Sequence, residues 1–227
     1  MSIDLKDIDN LGIDRVLQRG TGEIILQDET AILVKDTVSG ALMLACDESF
    51  RDISSLDRYL GEGCDLLMVS DYNIGKSAFE RYGFEKKLEC YQCAYYGGIP
   101  ALDARLTVRE ADKDDIPLLM ANYDGISEEE MEENIERQNV FFGYDRDQMV
   151  GFMGEHLEGS LGILYIFPEY RRKGYAEALE KYLFARTMKQ GYIPFGQVIK
   201  GNEASLRLQK KLGLTQSDKL IWWMWNE

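Results

Sequence analysis

Apolar and polar positions change period repeatedly along the chain, and each change predicts an element. LTVREA (106–111) alternates with a period of two and predicts a strand. Residues 114–122 carry a short helical pattern. Ser127 with Glu130 three positions on predicts a capping box opening a helix over 128–136. NVFFGYD and QMVGFMGEH flank the turn residues Asp145 and Arg146, the pattern of a hairpin. LGILYIFP (161–168) is a nearly continuous apolar run whose length suits a strand buried on both faces. A long helix follows, with Tyr175, Leu179, Tyr182 and Leu183 on one stripe. YIPFGQVI (192–199) predicts another strand, residues 202–212 a helix, and KLIWWMW an aromatic strand.

In the first half, GEIILQ, TAILVKD, SGALMLAC and DLLMVS predict strands, with a helix from Ser54 to Leu60. The segment GGIPALD (97–103) breaks regular structure. It sets the expected domains at 1–100 and 101–227. Each mixes antiparallel strands with helices, an α+β class. The two halves echo each other in NIGKSAFERYGFEKKLECYQCAYY and NEASLRLQKKLGLTQSDKLIWWMWNE. Each has an asparagine, a helical stretch, a glycine followed by Phe or Leu, a charged turn and an aromatic strand. A diverged tandem duplication accounts for this. The alternative is independent recurrence, because glycine is the usual helix stop.

Composition narrows the partners. Apolar residues at 45% and charged residues at 29% are ordinary for a globular chain. Acids outnumber bases 40 to 26, giving −14, which disfavours nucleic acid as a partner but leaves room for a small anionic ligand in a local pocket. No apolar run approaches the ~20 residues of a membrane helix, and MSIDLKDIDN lacks the features of a signal peptide. A cytoplasmic protein without a membrane partner is expected, with oligomerisation left open. Cys46, Cys64, Cys90 and Cys93 suit a reducing compartment. Cys90 and Cys93 form a CxxC on a predicted strand, but zinc would need two further ligands and His156 is the single histidine. No metal is therefore expected. Gly75-Lys76-Ser77 looks like the end of a nucleotide P-loop, but Ser70 stands where that loop needs glycine. Lys76 is expected on a helix surface, and the acids over 128–136 on a solvated face.

The stretch ILYIFPEYRRKGYAEALEKYLF carries the chemistry. A strand ends at Pro168, a basic turn with one glycine follows, and a long helix begins directly. Such a turn aims several backbone N–H groups at one point beside a helix N-terminus, which attracts phosphate. Gly174 permits close approach to the backbone, and Ala176 is small beside it. Arg171, Arg172 and Lys173 add positive charge. A solvated basic turn is the competing reading.

Arg171-x-x-Gly174-x-Ala176, after a strand ending Ile166-Phe167-Pro168, resembles the acyl-CoA pyrophosphate loop of the GNAT N-acetyltransferase superfamily. Asn202, with Ala204, Ser205 and Gly213-Leu214, is similar to that superfamily's next motif, in the spelling of the glycine N-acyltransferase-like branch. The resemblance covers residues 105–227. It implies two GNAT-like lobes, the first degenerate: CDESFRDISSL has no glycine and one arginine where a loop would stand. It implies an acetyl-CoA (acyl-CoA) co-substrate and an amine acceptor on a small molecule, amino acid or peptide. It assigns the pyrophosphate to backbone amides of Arg172, Lys173, Gly174, Tyr175 and Ala176. The pantetheine falls to the strand edge at Leu164, Tyr165 and Ile166, with Asn202 nearby.

One position departs from the family. Many members carry a tyrosine seven residues after the motif asparagine to protonate the leaving thiolate, and this chain has Gln209. Glutamine is no general acid. For the base, Glu155 and His156 are the candidates, with Glu158 third. Glu155 and His156 are strand neighbours, so one at most faces the cleft. Trp222, Trp223 and Trp225 read as core packing or as a wall of the acceptor pocket. An N-acyltransferase is the expected function; the alternative is a non-catalytic acyl-CoA-binding regulator.

Overall fold

The computed structural model describes residues 3–61 and 63–226. In chain order the regular elements begin with α1 (Leu11–Gln18), β1 (Gly22–Gln27), β2 (Ala31–Asp36), β3 (Leu42–Cys46), α2 (Asp57–Leu60), β4 (Leu66–Val69), α3 (Tyr72–Tyr82) and β5 (Lys86–Ala94). There follow β6 (Leu106–Glu110), α4 (Ile116–Met120), α5 (Glu128–Glu136), β7 (Val140–Asp145), β8 (Gln148–Gly154) and β9 (Tyr165–Ile166). The series closes with α6 (Tyr175–Lys189), β10 (Phe195–Ile199), α7 (Glu203–Lys211) and β11 (Thr215–Trp225). The described residues form two compact units. One comprises the described residues up to Cys93, Gln197–Leu206 and those from Gln216 on; the other comprises Ala94–Gly196 and Arg207–Thr215. The break at residue 94 lies beside the GGIPALD segment, but 197–206 and 216–227 group with the first unit rather than with the residues around them.

The first unit is organised by a seven-stranded sheet in the order β1-β2-β3-β4-β11-β5-β10. β11 runs antiparallel to β4, with Trp222 opposite Val69. Successive strand residues point to opposite faces. Leu33, Leu44 and Leu67 therefore enter one buried cluster with Ile74 and Trp222. Their neighbours Val34, Met43 and Met68 enter another with Ile13 and Val16 of α1. Asp71 caps α3 by accepting from the N–H groups of Asn73 and Ile74, both at 2.9 Å, and Gly83 ends it with φ 69°. Lys76 is exposed on α3 and faces Glu80 at 3.9 Å, as a helix-surface residue should. Gly75 lies against Trp222: a Cβ there would sit 2.6 Å from the indole. Close helix packing, not phosphate, accounts for this glycine.

The second unit is built on the antiparallel sheet β6-β7-β8-β9. One face buries Phe142, Phe152 and Ile163 with Leu119 and Met131. The other buries Phe141 and Met153 beneath Leu179, Leu183 and Phe184 of α6. Three elements differ from the sequence expectation. The run 161–168 is not one buried strand. Leu161 makes a single bridge to Glu155, and pairing resumes only at Tyr165 and Ile166. Between them the Leu164 N–H turns back to the Gly162 carbonyl at 2.6 Å, which breaks the ladder. Residues 164–167 are half-buried, since β9 is an outer strand. YIPFGQVI begins as a strand only at Phe195. Pro194 has no N–H for a ladder, and its carbonyl accepts from Tyr95. Residues 53–60 divide into a 3₁₀ turn and the short α2. Among the described residues no helix is long and apolar enough to cross a membrane.

Candidate active site

The basic turn is held at both ends. Phe167 N–H donates to the Val150 carbonyl at 3.1 Å, and Tyr165 pairs with Phe152. Strand alternation then turns the N–H and C=O of Ile166 to the outer edge. That carbonyl accepts from Arg171 Nε at 2.9 Å. After one 3₁₀ turn at Pro168–Tyr170, the chain reverses through Arg172 at φ 62° and Gly174 at φ 89°, ψ 0°. A left-handed conformation costs a non-glycine residue about 1–2 kcal/mol, and such strain clusters at functional sites. α6 starts at Tyr175 with no side chain capping it. The first N–H groups of a helix have no intrahelical partner, so here they meet whatever anion enters.

Arg171, Arg172, Lys173 and Gly174 are exposed, Ala176 is half-buried and Tyr175 is buried. The Tyr175 hydroxyl donates to Asp145 and pins the first turn of α6 to the β7–β8 hairpin. A Cβ on Gly174 would meet only Arg105 Nη2, at 4.0 Å. Arg105 lies over the Tyr175 ring at 5.4 Å and pairs with Asp103 at 2.6 Å, holding that carboxyl down at about 2. Arg105 thus adds a fourth cation to the turn. The sequence reading missed it because Arg105 precedes β6, far from the motif in the chain.

Asn202 caps α7: its Oδ1 accepts from the Ser205 N–H at 3.1 Å. Gln209 is buried and donates from Nε2 to Glu180 Oε1 at 2.8 Å. Burial pushes the Glu180 carboxyl up to about 7, against the opposing hydrogen bond from Gln209. Nothing in the local sequence pattern announced this pair. The CxxC cysteines are both buried, and burial pushes the Cys90 thiol up to about 12. Trp222 is buried, while Trp223 Nε1 donates to Gln197 Oε1 at 2.5 Å.

The base candidates separate sharply. Glu155 is buried, and its carboxylate accepts from Arg186 Nη1 at 3.0 Å. His156 Nδ1 lies 3.5 Å from Glu130 Oε1. Ser127 does accept from the Glu130 N–H at 3.1 Å, as the capping box requires. The Glu130 carboxylate, however, faces His156 instead of turning back to the cap. Burial lowers the imidazole pKa, but the Glu130 hydrogen bond and the Glu158 and Glu130 charges outweigh it and raise it overall. Glu158 is itself buried and accepts from the Ser160 hydroxyl.

An outer strand with an outward Ile166 N–H, a strained basic turn and an uncapped fifteen-residue helix together fit an extended amide chain ending in a diphosphate. The fold is that of the GNAT N-acetyltransferases. Residues 141–223 match the family described as FR47-like protein, a GNAT-type family. The whole chain resembles solved structures of the same class. A GCN5-related N-acetyltransferase from Kribbella flavida superposes with a TM-score of 0.56 at 10% identity, covering 100% of this chain and 96% of that one. A GCN5-related N-acetyltransferase-like protein from Streptococcus suis gives 0.54 at 14% identity and 98% of both chains. An acetyltransferase of the GNAT family from Colwellia psychrerythraea gives 0.54 at 14% identity, over 90% of this chain and 84% of that one. Among curated proteins no sequence match is found. The resemblance read from the two motifs and the mixed α+β architecture are both borne out.

Proposed function

We propose that the protein is an acetyl-CoA-dependent N-acyltransferase that acylates a primary amine of a small molecule, amino acid or peptide. The observation that carries this reading is the turn at Arg171–Gly174: exposed, basic, left-handed at two positions, and opening onto an uncapped helix. Backbone N–H groups from Arg172 to Ala176 hold the diphosphate, with Arg105, Arg171, Arg172 and Lys173 supplying charge. The pantetheine lies along the edge at Leu164, Tyr165 and Ile166, where the Ile166 N–H faces outward while Tyr165 pairs with Phe152 and the Leu164 N–H with Gly162, and Asn202 shapes the start of α7. Bound acetyl-CoA supplies an activated acyl carbon. The outward Ile166 N–H is the donor suited to the oxyanion that forms on attack, a large contribution in acyl transfer. In this reading the site belongs to residues 101–227, residues 1–100 form a GNAT-like lobe without a loop of its own, and the protein works in the cytoplasm.

Because Gln209 is bonded to Glu180, no phenol stands ready at that position for the leaving thiolate. A thiol with pKa near ~8.5 leaves tolerably without one. The same feature favours a second reading, a regulator that binds acyl-CoA without turnover. Thermal unfolding with saturating acetyl-CoA tests the first step, since a ligand binding only the folded state raises its stability by mass action. Absence of any upward shift would remove the cofactor. Thiol release from acetyl-CoA across an amine panel separates enzyme from binder.

A further inference from the structure

The second unit holds a titratable cluster that the coenzyme-binding loop does not use. His156 follows β8, and its ring lies over Gly162: a Cβ there would fall 2.5 Å from Nε2 and 2.7 Å from Cδ2. The missing side chain is what gives the imidazole its place. Gly162 opens the irregular run whose Leu164 N–H bonds to the Gly162 carbonyl, and that run leads straight into the edge strand β9. The backbone fixes the ring further, since His156 N–H donates to Ser160 O and Gly159 N–H to His156 O, both at 2.8 Å. Glu130 Oε1 faces Nδ1 from α5 at 3.5 Å. Glu158, on the turn after β8, is buried against Ser160. Tyr123 completes the group, its phenol pushed up to about 12 by burial and then by Glu130, Glu158 and Asp124.

We propose that His156 is the proton acceptor of the transferase site, oriented by Glu130, and that Glu130 and Glu158 select a cationic acceptor lacking a free carboxylate, such as a short diamine. This rests on the acyltransferase reading above and narrows its substrate class. With Nδ1–H directed at Glu130, Nε2 keeps its lone pair. The acceptor nitrogen attacks the thioester carbon, a C–N bond forms and the C–S bond breaks. The sulfur leaves with its electron pair as thiolate, and the ammonium proton passes to Nε2. No oxidation or reduction occurs. Two carboxylates beside the base attract an ammonium and repel a carboxylate. Glu130 acts through His156 and is a positioning residue.

The single histidine makes the test direct. In tag-free protein, the imidazole Cε1–H resonance reports the titration of His156 alone. Its midpoint should fall in Glu130→Gln, which removes a carboxylate that raises it. Thiol release from acetyl-CoA is then followed with 1,4-diaminobutane and with glycine. The diamine should be favoured at least tenfold in kcat/KM. Its rate should rise with pH through the midpoint seen by NMR, because the base must be neutral. His156→Gln should lose about a hundredfold and that limb of the profile, with coenzyme A affinity retained. In Glu130→Gln the limb should move with the NMR midpoint, which a purely structural carboxylate would not cause. A limb that stays put in Glu130→Gln, full rate in His156→Gln, glycine as the equal acceptor, or no release from either amine while coenzyme A binds would each overturn the inference and leave the cofactor reading standing. Failure to bind coenzyme A would instead overturn the reading beneath it.

Discussion

Placing a carboxylate at Gly174 is the most direct challenge to the proposal that the basic turn binds coenzyme A. The position has φ 89°, so any L-residue is strained there by about 1–2 kcal/mol. Sterically the site is open, since a Cβ would meet only Arg105 Nη2 at 4.0 Å, so no clash adds to this. For a domain of this size, 1 kcal/mol lowers Tm by roughly 2–4 °C, and the fold should survive. The charge is another matter. At roughly 6 Å and an effective dielectric of about 20, one like-charge pair repels by about 3 kcal/mol. The turn is exposed and salt screens part of that repulsion. About 1.4 kcal/mol, or tenfold in affinity, is the least effect expected. Gly174→Ala carries the same backbone strain without the charge. Isothermal titration of coenzyme A into Gly174→Asp, Gly174→Ala and the parent protein, at low and high salt, separates the two contributions. Gly174→Asp should lose at least tenfold, Gly174→Ala much less, and the gap should narrow in salt. Equal affinity for all three, with the Tm losses present, would refute the placement of the diphosphate.

Two further outcomes follow from buried groups away from the turn. Glu180 titrates at about 7 in the folded chain, against 4.5 ordinarily, because burial disfavours its charge. Its neutral form therefore contributes stability that is complete below pH 4.5 and is lost as pH rises to about 7. The loss should be of order 3 kcal/mol. In Glu180→Gln, urea unfolding at a series of pH values should show this slope reduced and stability at pH 8 increased; an unchanged slope would contradict the assignment. At Gly75, a methyl would press 2.6 Å from the Trp222 indole. Gly75→Ala should cost about 1–3 kcal/mol through overpacking, seen as a lower urea midpoint and altered tryptophan fluorescence. A neutral effect would mean that α3 is free to withdraw.

Much of the candidate site's local structure was legible because its signals are local. Gly174 and the basic residues before it are contiguous, and the strand–turn–helix order shows in a change of hydrophobic period around Pro168. The alternation in β6, β7 and β8 was plain for the same reason. What escaped depends on chain reversal. Arg105 reaches the turn from before β6, and Asp145 reaches Tyr175 from a hairpin. Glu130 matched a capping pattern, yet its carboxylate faces the half-buried imidazole of His156, which lies on a distant part of the chain. The run 161–168 looked continuous because apolar side chains do not reveal that Leu164 N–H folds back on Gly162. Gln209 was noticed as a departure, but its partner Glu180 lies on another helix with no shared pattern.

The place of β11 between β4 and β5 has a consequence for biogenesis. When the ribosome has released β1 through β5, the sheet they build lacks an inner rung, and two strand edges stand unpaired beside the gap. Unpaired edges invite association with other nascent chains. They stay open until the whole intervening unit has been made and Trp222 can settle opposite Val69. Maturation of the earlier half is therefore tied to late synthesis, and a stop codon or proteolytic nick just before Thr215 would cripple the part of the molecule translated first.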